Sequence, residues 1–436
     1  MRFEKVFQKF ALAALLLGAL APTAFAQKSG GAVPRQERLL NGLKILMWND
    51  PTAAKVSVKI RVHAGSAFDP QGKEGAMKML AENLFPSQAV REFYSDDLGG
   101  GLDVTTTYDY IQINATSNPD QMLTLLESLS AAVTNPTIDK ETTAQLKAAQ
   151  LAKISEQMND PVYVADAAAA SRLFGTFPYG RPRLGTPESI QKIDFADLID
   201  LKQRFLAADN ATVAISGNID ANLAFKAARR YLGAWLKSDK RVPSTFRQPD
   251  PPKSGMPIFD SPIAKRSEFR IALRGNARGD KDHYAASALA SILDRRFKSR
   301  EGDKAFVRNS PYALPGMLLF GVSDWNLTGI KRDGNKIAVP VSDGYQKQVL
   351  DPAVKGEEFD AAKRQLVAEI ALLPVEDAWL DVDTFKLAGT RPDSEAAQAV
   401  SITDVQRVLE RLQKEPAAYI LVFADDQAPV PSKAAN

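Results

Sequence analysis

Residues 56–85 read VSVKIRVHAGSAFDPQGKEGAMKMLAENLF, and this stretch decides the fold. Its first seven residues, Val56 to Val62, alternate apolar and polar side chains, which predicts a half-buried strand. Turn-forming residues follow, ending in Asp69-Pro70, and residues 75–85 then form a helical stretch. The sequence therefore predicts a strand, a turn and a helix in succession.

A series of short motifs then follows in a fixed order along the chain. They are GGGLDVT at 99–105 with Tyr108, Phe174-Gly175 with Pro178-Tyr179, GTPESI at 185–190 and NATVAISGNID at 210–220. Together with residues 56–85 they resemble the pitrilysin/insulinase family of metallopeptidases, strongly from about 38 to 235 and weakly after 262. The resemblance implies an α/β (α+β) fold of two homologous domains, each a mixed β-sheet layered with helices. It also implies that the two domains form a clamshell half-chamber.

The resemblance implies a zinc helix at residues 75–85, but its ligand positions are altered. Active members carry His-x-x-Glu-His there: the histidines bind zinc and the glutamate activates the bound water. Aligned on Gly75 and Phe85, these places hold Lys78, Ala81 and Glu82. The family's third ligand is a glutamate in a later helix, at a position that holds Ala152 or Lys153 here. We therefore expect no cofactor in this chain, and zinc in a partner subunit.

The histidine count supports this expectation. The chain has two histidines and no cysteine, whereas catalytic zinc sites ordinarily include nitrogen or sulfur donors. His63 falls on the polar face of the predicted strand and is interpreted as a solvated or hydrogen-bonded side chain. His283 falls in the first turn of a predicted helix and is likewise not interpreted as a ligand. Glu82 could act as a general base, but a single helical carboxylate is ordinarily solvated or salt-bridged.

Composition and the N-terminus indicate the protein class and compartment. With 55 basic and 52 acidic residues in 436, the charge is too balanced to indicate nucleic acid or an anionic membrane surface as a partner. Basic residues precede an apolar run at 10–21, and Ala24-Phe25-Ala26 provides a cleavage signal, so residues 1–26 are predicted to be a signal peptide of a periplasmic protein. An uncleaved N-terminal anchor is the alternative. No later run is apolar enough to span a membrane.

The rest of the chain predicts two similar halves. Residues 35–240 form a peptidase-like domain with the degenerate zinc site, and 241–262 form a charged, proline-rich linker. Residues 263–426 form a second peptidase-like domain, followed by a tail at 427–436. In the second domain we predict a strand at 268–275, helices at 284–297, 356–373 and 402–413, and a closing strand at 419–423.

Two candidate substrate sites follow from the resemblance. Arg308 and Tyr312 fall where many family members place an arginine and a tyrosine that stabilise the oxyanion. The alternative is that Tyr312 packs and Arg308 is solvated or paired. Asp103, Val104 and Thr105 fall in the strand that binds extended peptide by adding it to the sheet, although any half-buried strand shows the same alternation.

Three functions are consistent with the sequence. The first is a non-catalytic, zinc-free subunit of a periplasmic zinc peptidase, paired with a homologous subunit whose His-x-x-Glu-His motif is intact. The second is a peptide-binding or assembly protein without hydrolytic activity. The third is an enzyme that uses other residues.

Overall fold

The computed structural model describes residues 33–238, 252, 258–261, 266–325, 331–333, 336–338, 349–387 and 393–424. The predicted signal peptide, the tail at 427–436 and most of the predicted linker lie outside these residues. The end of the predicted linker differs from the expectation, because Ile258–Ser261 forms a strand. Its backbone pairs in parallel with the strand that closes the second half.

The first half is built on a six-stranded sheet. Its strands, in the spatial order β1-β2-β6-β3-β5-β4, are β1 (Arg35–Arg38), β2 (Lys44–Asn49), β6 (Ala211–Gly217), β3 (Val56–Val62), β5 (Ile111–Ser117) and β4 (Gly101–Thr106). The β2–β6 pair is parallel and the other pairs are antiparallel. The helices are α1 (Ala76–Asn83), α2 (Gln88–Asp96), α3 (Met122–Thr134), α4 (Lys140–Met158), α5 (Pro161–Phe174), α6 (Pro187–Lys192), α7 (Phe195–Phe205) and α8 (Ala221–Leu232).

The alternation in β3 explains how this sheet is layered. Val58 and Ile60 are fully buried in one hydrophobic core with Met77 and Leu80 of α1. Arg61, one residue out of phase, points to the opposite face of the sheet because successive strand side chains alternate. The predicted strand, turn and helix are confirmed, with α1 starting one residue after Gly75.

The second half is built on a five-stranded sheet in the order β7-β13-β8-β10-β9. Its strands are β7 (Ile258–Ser261), β8 (Glu268–Arg274), β9 (Ala305–Ser310), β10 (Met317–Ser323) and β13 (Ala418–Ala424), and a separate hairpin consists of β11 (Lys331–Asp333) and β12 (Lys336–Ala338). The helices are α9 (His283–Glu301), α10 (Gly356–Ala371), α11 (Val375–Thr384), α12 (Asp393–Ala399) and α13 (Ile402–Leu412).

The two sheets repeat one connection pattern. In each, a central strand (β3 or β8) pairs antiparallel with a late strand (β6 or β13), which in turn pairs in parallel with an early one (β2 or β7). On the other side the central strand pairs with β5 or β10, and these pair with the last strands of the sheets, β4 and β9. The predicted mixed sheet layered with helices is thus confirmed in both halves.

Each sheet is covered on its second face by a helix from the other half. Helix α5 of the first half brings Ala165 and Ala169 against Ala272 and Ile420 of the second sheet. These alanines let the helix backbone approach the sheet closely, and β8 is therefore buried on both faces rather than half-buried as its alternation predicts.

Helix α11 of the second half covers the second face of the first sheet. Its Trp379 and Leu380 pack against Leu46, Trp48 and Ala214. The Trp48 and Trp379 rings meet edge to face, with centroids 6.4 Å apart. The two halves therefore share their packing, and neither sheet is covered by its own half alone.

Candidate functional site

Helix α1 begins at a position that requires glycine. Gly75 has φ +96°, and a Cβ there would lie 2.5 Å from the carbonyl oxygen of Leu184. The buried Asp69 accepts hydrogen bonds from the N–H groups of Gly75 and Met77, at 2.8 and 2.7 Å, and so satisfies the free end of the helix. Gln150 of α4 donates to the Gly75 carbonyl at 3.1 Å, which joins α1 to the helix that carries the third ligand position.

The altered ligand positions form an ion-pair cluster. Lys78 Nζ lies 2.5 Å from Glu82 Oε1, one helical turn away, and Arg91 Nη2 of α2 lies 2.6 Å from Glu82 Oε2. Lys153 Nζ of α4 lies 3.9 Å from Glu82 Oε1. Of the two candidate third-ligand positions, it is therefore Lys153 that faces α1. The Glu82 carboxylate, at the second histidine position, thus lies within ion-pair distance of three cations.

The charges around Glu82 keep it ionised. Burial by itself raises the pKa of Glu82, but the hydrogen bond and charge of Lys78, with the charges of Lys153 and Arg91, outweigh it and leave the pKa below its usual value. The carboxylate is therefore an anion held between cations, which is the opposite of a poised general base. This agrees with the salt-bridged interpretation of Glu82.

This set of side chains does not fit zinc. Lys78 and Lys153 place cations where a dication needs donors, and the fully buried Ala81 has no polar atom to activate water. Within the described part of the chain, histidine and carboxylate side chains form no group of three or more that could hold a metal ion. A zinc-based reaction therefore cannot be assigned to these positions.

Strand β4, next to α1, ends the first sheet as far as the described strands go. Its side chains alternate as predicted: Asp103 and Thr105 are exposed, and Val104 is buried. Thr105 Oγ1 donates to Asp103 Oδ2 at 2.9 Å, so the outer face is polar. The strand pairs with β5 on one side, and its position at the sheet edge suits the strand addition predicted for residues 103–105.

Arg308 and Tyr312 lie on and just after β9, on the side of the second sheet that faces the first half. Arg308 forms an ion pair with Asp166 of α5, whose other oxygen lies 2.6 Å from Arg270 Nε. The ring of Tyr312 packs between Tyr108 and Tyr179, with centroids 5.1 and 4.5 Å away. This geometry matches the alternative in which Arg308 is paired and Tyr312 packs, and a role for either side chain in binding substrate stays a prediction.

Asp109 holds the segment around Tyr312 to the first half. Its Oδ1 accepts from Tyr179 Oη at 2.9 Å and its Oδ2 from the Ala313 N–H at 3.1 Å. Tyr179 Oη in turn accepts from the Leu314 N–H at 3.1 Å. Burial raises the pKa of Asp109 to about 6. Sequence analysis did not identify Asp109, because its partners are distant in the chain.

The two histidines differ in their contacts. His63 is half-buried, and its Nδ1 and Nε2 each lie 3.0 Å from a threonine hydroxyl, of Thr384 and Thr212 respectively, as the interpretation of a solvated or hydrogen-bonded side chain predicts. Burial lowers the pKa of His63 to about 3. His283 begins α9, as predicted, and is 92% buried at 8% exposure.

Together, the repeated mixed sheets and the altered helix α1 define a two-domain peptidase fold whose zinc-helix positions hold ion pairs. Sequence profiles agree: the one described as Insulinase (Peptidase family M16) matches residues 44–187, and the one described as Peptidase M16 inactive domain matches residues 192–303. The chain belongs to this family.

Relatives and solved structures are similar at low identity. An uncharacterized zinc protease of Mycobacterium bovis is 24% identical over 282 residues, which span 63% of this chain and 64% of that protein. One of Streptomyces coelicolor is 23% identical over 279 residues, 61% of this chain and 60% of the other. The chain thus matches somewhat less than two thirds of each relative's length.

Three solved structures share the fold. A peptidase M16 inactive domain from Pseudomonas fluorescens has a TM-score of 0.76 at 18% identity, over 89% of this chain and 97% of that one. A protease from Helicobacter pylori has a TM-score of 0.79 at 15% identity, over 89% and 99%. The periplasmic protease PqqL from Escherichia coli has a TM-score of 0.68 at 15% identity, over 92% of this chain and 49% of its own.

Among the helices that the structure describes, none is both long enough and apolar enough to cross a membrane.

Proposed function

We propose that the chain is a non-catalytic, zinc-free subunit of a periplasmic insulinase-like zinc peptidase. It closes the peptide-degrading chamber of a homologous partner whose His-x-x-Glu-His motif is intact, and it helps to orient the peptide. The observation that carries this proposal is the ion-pair cluster at Lys78, Glu82 and Lys153, set in a helix whose scaffold at Asp69, Gly75 and Gln150 is retained.

The comparisons support the proposal indirectly. The similar proteins of Mycobacterium bovis and Streptomyces coelicolor are named zinc proteases, and one structural neighbour is a periplasmic protease. An N-terminal apolar run after basic residues adds support for export. Zinc chemistry would then be supplied in trans by the partner.

The test is reconstitution. The mature chain is purified alone and together with a homologous chain from the same genome that carries His-x-x-Glu-His, and each preparation is incubated with a peptide mixture. We expect the pair to co-purify and to cleave peptides in a chelator-sensitive way, and the chain alone to be inactive with less than stoichiometric zinc. Chelator-insensitive cleavage by the chain alone, or one tightly held zinc per chain, would overturn the proposal.

The same pair tests Arg308 and Tyr312. Tyr312→Phe keeps the ring packed between Tyr108 and Tyr179 but removes the hydroxyl, so a drop in kcat of the pair would assign that hydroxyl to the substrate. Arg308→Ala also breaks the ion pair with Asp166, and Asp166→Asn breaks it from the other side. If Arg308→Ala and Asp166→Asn lower the activity of the pair equally, Arg308 acts through its contact with α5 and not on the peptide.

A peptide-binding or assembly protein without hydrolysis is the alternative function. The polar outer face of β4 at the sheet edge favours it, because strand addition needs no catalytic group. Peptide binding by the chain, without complex formation with any motif-bearing homologue, would support this alternative over the first function.

A further inference from the structure

The second half contains a cavity at the place that corresponds to the zinc helix of the first half. Helix α9 follows the central strand β8 as α1 follows β3, and β9 ends its sheet, in the described strands, as β4 ends the other. Helix α10 directly precedes the crossing helix α11, as α4 directly precedes α5. A cavity of about 580 Å³ lies between α9, α10 and β9.

The size and lining of this cavity suit a small ligand. Its volume falls within the range of roughly 300–1,000 Å³ that is typical of ligand sites. Apolar side chains line one part of it and uncharged polar ones another, among them Tyr284, Leu366, Ile370, Ser287, Ser291 and Asn309. In the first half, the corresponding helix α1 carries Lys78 and Glu82, which form an ion-pair cluster with Arg91 of α2 and Lys153 of α4.

Five charged side chains line the cavity, and each contacts protein atoms. Arg295 donates to the Glu358 carbonyl at 3.1 Å, and Glu369 accepts from Gln365 at 2.8 Å. Arg278 Nε lies 3.3 Å from Asp381 Oδ2. Asp294 accepts from the N–H of Val307 at 2.8 Å and pairs with Lys298 at 2.8 Å. Because the Val307 N–H of β9 already donates to Asp294, it cannot pair with an added strand. We therefore interpret the cavity as a ligand pocket and not as a surface for strand addition. A ligand without net charge therefore fits this lining best.

His283 is a buried side chain beside the cavity. Its side chain is 92% buried at 8% exposure and lines the cavity, and among the described residues its Nδ1 has no hydrogen-bond partner. Burial, with the charge of Arg278, holds the pKa of His283 down at about 3, so the ring is neutral and has one nitrogen able to accept. The exposed area of Nδ1 is below 1 Å², so this atom is enclosed by protein and does not face the cavity.

We propose that this cavity is a peptide-binding pocket of the second half. It takes a short uncharged segment whose apolar side chain lies beside Tyr284, Leu366 and Ile370 and whose backbone hydrogen-bonds to the polar wall at Ser287, Ser291 and Asn309. The choice of a peptide as ligand rests on the proposed function. Within the chain, ligand binding has then moved from the half with the altered zinc helix to the half that resembles an inactive domain.

The test uses the mature chain alone, without partner or zinc. The probe is a random-sequence peptide library in which every peptide carries one photo-activatable leucine. After irradiation, digestion and mass spectrometry, we expect cross-links on α9, α10 and β9. Ser291→Leu fills the cavity and should lower that cross-linking by about tenfold or more. Ser299→Leu, on an exposed turn of the same helix, is the matched control and should leave it unchanged.

Ser287→Leu fills the cavity from a second position, and thermal unfolding of each variant verifies that it is folded. Cross-links confined to β4 and α1, no cross-links at all, or equal labelling in Ser291→Leu and Ser299→Leu would each overturn the pocket. Hydrolysis by the reconstituted pair is a separate measurement. If the reconstituted pair does not cleave peptides but the free chain is still cross-linked at α9, the proposed function is wrong and the pocket is still supported.

Discussion

Glu82 lies in an ion-pair cluster at a position where the family resemblance predicts a zinc ligand. A carboxylate in the place of a zinc-binding imidazole is held by Lys78 and Arg91, at 2.5 and 2.6 Å. Its side chain is 19% exposed, so solvent screens these pairs less than it does at an open surface. These ion pairs join α1, α2 and α4.

We predict that Glu82→Gln destabilises the protein. The substitution leaves three cations without their shared anion, and the loss in the free energy of unfolding should be about 1–3 kcal/mol, as for hydrogen bonds to charged groups. Urea unfolding at neutral pH measures it. Asp200→Asn, which breaks an exposed pair with Arg204 of 3.4 Å, is the control and should cost less than about 0.5 kcal/mol.

The effect of Glu82→Gln should also depend on pH. The folded state holds the pKa of Glu82 below its usual value of 4.5, so its contribution is present above that value and is lost as the pH falls through the folded pKa. The difference between wild type and Glu82→Gln should shrink in acid. A difference that stays constant down to strongly acidic pH would contradict the ion-pair interpretation.

The residues of this cluster were easier to predict from the sequence than the contacts between them. Lys78, Ala81 and Glu82 follow from the spacing to Gly75 and Phe85, and the structure selects Lys153 over Ala152. Arg91 was missed, because a contact between positions nine apart on two different helices has no helical period to indicate it.

At the scale of elements, the edge position of β4 gives a direct prediction. If a peptide adds to this strand, backbone N–H groups of residues 103–105 gain hydrogen bonds and should exchange with deuterium more slowly when an extended peptide is present. Hydrogen exchange with mass spectrometry measures this, with β1, which ends the described sheet on its other side, as the internal control. Slowing in both strands alike, or in neither, would argue against peptide addition at β4.

Helix α11 is held on the first sheet by a buried arginine. Arg61, whose side chain is 2% exposed, lies 2.6 Å from Asp381 and 3.3 Å from Asp377. We predict that Arg61→Met lowers the free energy of unfolding by about 3 kcal/mol or more, since it leaves carboxylates without their partner. Amide exchange within α11 should speed up. Combining Arg61→Met with Asp377→Asn and Asp381→Asn should recover part of the loss, and no recovery would show that Arg61 acts by packing.

The role of α11 could not be predicted from its sequence, VEDAWLDVDT. Four acidic residues in one short helix are typical of a solvated face, whereas here Asp377, Asp381 and Asp383 meet cations of the first sheet. Strand and helix positions that depend on local pattern, such as β3, α10 and α13, were predicted within about two residues. Contacts between distant segments were not, because local periodicity does not encode which partner a face meets.

At the scale of the whole molecule, Asp109 makes the joint between the halves sensitive to pH. Its pKa is raised from 3.8 to about 6, so the folded state favours the protonated carboxyl. That contribution is fully present below pH 3.8 and is lost as the pH rises through 6. Between these values wild type should lose stability relative to Asp109→Asn, by on the order of 3 kcal/mol.

Unfolding midpoints of wild type and Asp109→Asn across this pH window measure the effect. Asp200→Asn, at an exposed helix position, serves as the control and should run parallel to wild type. If Asp109→Asn also runs parallel to wild type, the carboxyl is ionised throughout. In that case its hydrogen bonds to Tyr179 and Ala313 outweigh its burial.

The exchange of covering helices between the halves has a consequence for biosynthesis. The apolar patch of Leu46, Trp48 and Ala214 is sealed by Trp379 and Leu380, so a growing chain emerges with this patch open until about residue 384 has left the ribosome. Helix α5, which covers the second sheet, precedes that sheet in the chain and is therefore synthesised first. A chain that ends before residue 375 therefore leaves this apolar patch of the first sheet without the helix that covers it.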